Sequence, residues 1–152
     1  MSNIHPGNNT ALQQAVDSFW EVIPAAWQQV RAQIRDVSAI QHDITVEQFH
    51  ILRHIRKGQG SVSEIAAAKR ISRPAISQAV ELLVGKGLIT RRQEVRDRRC
   101  VRLELTPAGD TLLNAIFQEN RRWMSNRMAA LNEAELHSLA TGMEALKKAL
   151  IE

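Results

Sequence analysis

"ISRPAISQAVELLVGKGLITRRQEVRDRRCVRLELTP", Ile71–Pro107, changes its period part-way along. Up to Gly87 the pattern is helical: Ile76, Val80, Leu83 and Val84 share one face, and Pro74, Ser77, Gln78 and Glu81 the opposite one. Beyond Gly87 the period falls to two, and "GLITRRQ" and "CVRLELT" read as short strands joined by a bend rich in arginine. Ser72 can cap the helix, and Pro74 lies in its first turn, where a missing amide is tolerated. Gly85 and Gly87 close it.

Two more helices precede this stretch, each opened by a capping box in which a side chain and a backbone amide satisfy each other reciprocally. "TVEQ" (Thr45 to Gln48) starts a helix with Phe49, Leu52 and Ile55 inward, ending at Gly58. "SVSE" (Ser61 to Glu64) starts a short helix, "SEIAAAKR", that stops before Ile71. The small alanines 66 to 68 let it cross the following helix closely. Three short helices and a hairpin over residues 45–106 are the layout of a winged helix-turn-helix.

The flanks are helical too. Residues 1–9 read as a disordered tail. A first helix from near Thr10 carries the stripe Leu12, Val16, Phe19, Ile23, Trp27, Val30, Ile34, Val37 and gives out around "AIQHD". Pro24, which lacks an amide donor, is expected to kink or interrupt it. This N-terminal region covers residues 10–44. Over residues 107–152, Thr106 and Pro107 restart a helix with Leu112, Leu113, Ile116, Phe117, Trp123 and Met128. "NEAE" (Asn132 to Glu135) opens a last one with Leu136, Leu139, Met143, Leu146 and Leu150. The expected fold class is mainly α with a small two- or three-stranded β wing. The terminal helices hold more apolar residues than a winged-helix core needs, Phe19, Trp20, Trp27 and Trp123 among them. A two-fold dimer would cover them, whereas the plainer reading has them close the core of one chain.

Composition narrows the function. The 152 residues are 44% hydrophobic and 24% charged, ordinary values for a globular protein. No apolar run approaches a membrane span, "MSNIHPGNNT" lacks the layout of a signal peptide, and the default compartment is the cytoplasm. The single Cys100 excludes an internal disulfide framework and a multi-cysteine zinc site. The net charge of +4 is unevenly spread: residues 69–102 carry +7 and the remainder −3. Such a basic region is the electrostatic footprint of nucleic-acid binding, or, more blandly, a solvated charged face.

On the hairpin, Arg96, Arg98 and Arg99 are positioned to enter a minor groove, and Asp97 can clamp Arg99 so that the tip arrives pre-shaped. Arg91 and Arg92, in the first strand, suit flanking phosphates. On the fourth helix, Ser72, Arg73, Pro74, Ser77 and Gln78 form the leading outer face. Arg73 and Gln78 there have the forked donors that base readout uses.

Taken together, "ITVEQFHIL", "SVSEIAAAKRISRPAISQAVELLVGKGLITRR" and "RDRRCVRLELTPAG" resemble the multiple-antibiotic-resistance regulator (MarR) family of bacterial transcription factors. The similarity is close over about residues 45–110, and "DRR" followed by "LTPAG" is its most specific part. The resemblance implies a homodimer, formed by the first and last helices, that grips a pseudo-palindrome in double-stranded DNA. It also implies an effector that alters DNA binding: a small phenolic or other lipophilic molecule, an oxidant or a metal. The expected function is therefore a ligand-responsive repressor. The competing classes are a winged-helix protein-interaction module and an architectural or RNA-binding module without duplex sequence preference.

Other sites carry less. His50 and His54 lie four apart with His42, Asp43 and Glu47 nearby, a spacing able to hold zinc, but no cysteine joins them and no metal site is expected. Cys100 follows two arginines that would lower its pKa, yet relatives that sense peroxide carry their thiol in the first helix, so it reads as a strand residue. Trp20, Trp27, Arg31 and His50 are candidate linings of an effector pocket, each equally explained by packing. No nucleophile elbow, phosphate loop, dinucleotide fingerprint or paired-carboxylate pattern occurs, so neither an enzyme nor a cofactor is expected.

Overall fold

The computed structural model describes residues 6–93 and 101–151, with side chains from Thr10 onward. Along the chain come α1 (Pro6–Asp36), a π-helical turn (Val37–Gln41), α2 (Val46–Arg56), α3 (Val62–Lys69) and α4 (Arg73–Gly85). Strands β1 (Ile89–Gln93) and β2 (Val101–Leu105) follow, then α5 (Pro107–Met128) and α6 (Glu133–Leu150).

The helix starts are chemically marked. Thr45 and Gln48, Ser61 and Glu64, and Asn132 and Glu135 each form the reciprocal capping box that their spacing predicts. Ser72 accepts from the Ala75 amide at the start of α4. At the other end of α4, Gly87 takes φ +69°. Its amide bonds the Val84 carbonyl at 2.9 Å and that of Leu88 bonds Leu83 at 3.0 Å, the paired closure of a Schellman turn. That turn aims the chain straight into β1.

β1 and β2 pair antiparallel, with Ile89 opposite Leu105 and Gln93 opposite Val101. Among the described residues the wing sheet has these two strands. A third is represented by one hydrogen bond of 2.6 Å, from the Leu103 amide to the Gly60 carbonyl.

The core lies between α2, α3, α4, the hairpin and the first half of α5. Phe49, Ile51, Leu52, Ile65, Ile76, Val80, Leu83, Ile89, Leu113 and Ile116 are all buried in it. The "LTPAG" motif closes this core. Thr106 Oγ1 accepts from the Gly109 amide at 3.0 Å and donates to the Gly87 carbonyl at 2.6 Å. It thereby caps α5 and ties it to the end of α4. Gly109 presses against the Leu88 carbonyl so closely that a Cβ there would lie 2.0 Å from that oxygen.

The first helix differs from the reading of its sequence in two ways. It already begins at Pro6, because proline at the first helical position gives up an amide that has no intrahelical acceptor anyway. It also runs through Pro24 without interruption. The hydrogen bond that Pro24 forfeits would end on the carbonyl of Trp20, on an exposed side of the helix where water can replace it.

Candidate nucleic-acid interface

α4 is held by one face and offers the other. Ile76, Val80 and Leu83 are buried and Val84 is half-buried, whereas Arg73, Pro74, Ser77, Gln78 and Glu81 are exposed. The face expected to meet DNA is thus the face left free, and Ser72 and Arg73 stand at its leading end. Arg70, in the turn between α3 and α4, is exposed and left-handed at φ +54°. Neither Arg70 nor Arg73 has a carboxylate partner among the described residues.

Among the described residues, four other cations of the basic region have carboxylate partners, which charge counting along the chain missed. Lys69 Nζ meets Glu47 at 3.0 Å. Lys86 Nζ meets both the carboxylate and the carbonyl of Asp43, at 2.7 and 2.6 Å. That hydrogen bond, helped by the Lys86 charge, holds the Asp43 carboxyl below its ordinary value. Both terminal guanidinium nitrogens of Arg91 face the two carboxylate oxygens of Glu81. Arg92 Nε lies 3.3 Å from Glu104. These partners stand between ten and forty-three residues apart, so no local motif announces them. Only the Glu81 pair had a signal, since a carboxylate on an exposed helix face precedes a strand of arginines. Arg96, Asp97, Arg98, Arg99 and Cys100 lie outside the described residues.

What remains is a helix presented outward at its N-terminal end, beside the β1–β2 hairpin and on a packed helical support. Its small and forked polar side chains, and two arginines without a carboxylate partner among the described residues, suit entry into a major groove. The family model described as MarR family matches residues 42–99, the span from the start of α2 into the wing. The HTH-type transcriptional regulator YpoP of Bacillus subtilis is 28% identical over 114 residues, covering 74% of this chain and 79% of that one. The HTH-type transcriptional repressor MdtR of the same organism is 27% identical over 115 residues, 75% and 74% of the two chains. Residues 42–99 thus match the MarR family, and the chain as a whole is similar to these regulators. The likeness is to DNA-binding transcriptional regulators and not to enzymes. The fold agrees: a MarR family protein from Bacillus stearothermophilus superposes with a TM-score of 0.78 over 92% of this chain and 98% of that one, at 17% identity.

The other candidate residues of this chain are dispersed. Trp20 and Trp27 stand exposed on α1. Arg31 lines a cleft with Gln28, Ala32, Arg35 and Val46, to which neither tryptophan nor His50 contributes. His50 is half-buried beside Phe49, with ring centroids 5.4 Å apart. Burial first, and then the charges of Lys69 and Arg53, push its pKa down. His54 Nδ1 is taken up by Gln59. Among the described residues no three His, Cys, Asp or Glu side chains form a group able to hold a metal, and no helix is long and apolar enough to cross a membrane.

Proposed function

We propose that this chain is a cytoplasmic, ligand-responsive repressor of the MarR family that binds a pseudo-palindromic operator as a homodimer. One observation carries the dimer: α6 buries no residue, and α1 exposes Leu12, Val16, Trp20 and Trp27. Leu136, Met143 and Leu150 are exposed on α6. Two-fold pairing of these helices covers the apolar faces and sets two copies of α4 about one DNA turn apart. Within each half-site Arg73, Ser77 and Gln78 read bases, with Ser72 and Pro74 shaping the helix start. Arg96, Arg98 and Arg99 grip the minor groove, with Asp97 as the clamp on Arg99, and Arg92 meets flanking phosphate.

The repressor reading is supported by the likeness to MdtR, itself a transcriptional repressor. An effector acts by binding one lobe spacing better than another, with Trp20, Trp27, Arg31 and His50 as its candidate contacts. Selection from a randomised duplex pool at two salt concentrations tests the whole. A two-fold-symmetric site, bound less tightly as salt rises, supports the reading. Enrichment of no motif, or binding to RNA or an acidic protein in preference to duplex, overturns it in favour of an architectural or protein-interaction role.

A further inference from the structure

We infer that Arg91 is a positioning residue and not a phosphate contact. It is committed to Glu81, and the pair locks the recognition helix to the wing. The inference rests on DNA binding by α4 but not on the dimer, the operator or the effector.

Glu81 stands on the exposed face of α4, three and four residues beyond Gln78 and Ser77. A bare carboxylate there would meet the negative potential of the groove whenever Ser77 and Gln78 approached the bases. Arg91 removes that conflict, since both its terminal nitrogens engage both oxygens of Glu81 in a fork that few other pairs can form. The segment between the partners is itself rigid. Val84, Leu83, Gly87 and Leu88 close the Schellman turn, and Leu88 and Ile89 are buried. The ion pair therefore spans a short, stiff turn and fixes the angle between helix and hairpin, so that both reach DNA as one body. Moving Arg91 onto a phosphate would strand Glu81 beside the polyanion, and the exchange returns little. Arg92 differs: its partner Glu104 lies on β2, away from α4, and its side chain is 73% exposed.

The test compares the wild type with Arg91→Gln, Glu81→Gln and the double variant. Each binds one random-sequence duplex across a salt series, and thermal unfolding establishes that each is folded. If the pair is a lock, Glu81→Gln frees Arg91 for phosphate, and the slope of log affinity against log salt steepens by about 0.9. Arg91→Gln weakens binding with little change in slope, because it exposes Glu81 rather than deleting a phosphate contact. Adding Glu81→Gln to it restores most of the lost affinity. The inference is overturned if Arg91→Gln flattens the slope by about 0.9 and Glu81→Gln gives no rescue, the signature of a direct phosphate contact. Random duplex isolates this question from operator recognition. A chain that failed to select any operator would lose the specific-repressor reading, yet would still report on Arg91.

Discussion

The DNA-binding lobe and the terminal helices use their apolar residues in opposite ways. In the lobe, α2 alone buries Phe49, Ile51, Leu52 and Ile55 against α3, α4, β2 and α5. In α6, a helix of 18 residues, none is buried, and Trp20 on α1 is 69% exposed. Both regions have helical periodicity and well-capped helices, so local sequence quality does not separate them. The difference is what each has to pack against: the lobe finds its packing within the chain, whereas the arms, α6 and the outer face of α1, find little among the described residues. Truncation should expose the contrast. Phe49→Ala, which removes a ring packed 5.7 Å from Phe117, is expected to cost about 3–5 kcal/mol in denaturant unfolding. Met143→Ala should leave the unfolding free energy of a dilute, monomeric sample within about 0.5 kcal/mol. It should instead weaken self-association, read by sedimentation as a shift toward monomer. A large stability loss for Met143→Ala in the monomeric sample would mean that α6 is packed by its own chain.

The junction between the two regions is sharper still. α5 begins inside the lobe and ends in the arm, and its first turn is seated on the α4–β1 turn by Thr106 and Gly109. Gly109→Ala places a methyl where the Leu88 carbonyl already stands, and backbone cannot rotate aside as a long side chain can. A loss of about 1–3 kcal/mol or more is expected, measured by chemical unfolding. Gly142→Ala, in α6, is the matched control. Its added methyl meets nothing within 4 Å, and the change should stabilise by about 0.5–1 kcal/mol through helix propensity. Equal effects at the two glycines would erase the distinction between seated and unseated helices.

How much of this was legible in the sequence depends on whether the cause was local. Caps, the switch from helical to strand period and the inner face of α4 depend on residues a few positions apart, and each appears where its spacing places it. The partners of the basic residues depend on tertiary approach. Lys86 meets Asp43 and Lys69 meets Glu47 only because α2 packs beside α3 and α4, and counting charge along residues 69–102 could not reveal it. Arg70 is a third case. The turn between α3 and α4 needs a left-handed residue, with the Ile71 amide bonding the Ala66 carbonyl at 3.1 Å, and the chain supplies arginine where glycine is the common choice. Nothing in "KRISR" signals that conformation. Arg70→Gly should relieve about 1 kcal/mol of strain, seen as a rise in unfolding free energy. Its DNA affinity should fall if Arg70, exposed beside α4, touches phosphate. No gain in stability would mean that the arginine pays no penalty for its left-handed turn.

The smallest effect should come from His50, and its sign distinguishes the lobe from the arms. Burial against α2 and its neighbours disfavours the imidazolium, Lys69 and Arg53 add to this, and Glu47 opposes it, so the folded pKa lies below the ordinary 6.5. The unfolded chain then binds the proton more tightly than the folded one. Stability is complete above about pH 6.5, declines as pH falls from there through the lowered folded pKa, and levels off below it. His50→Gln, which keeps a polar side chain without the titration, should flatten this step. Asp43 does not blur the measurement. Its carboxyl is held below 3.8 by Lys86, so the stability it contributes is lost only at a more acid pH. A step between pH 7 and 5 that survives His50→Gln would place its origin in another group and would remove the link between this histidine and burial in the lobe.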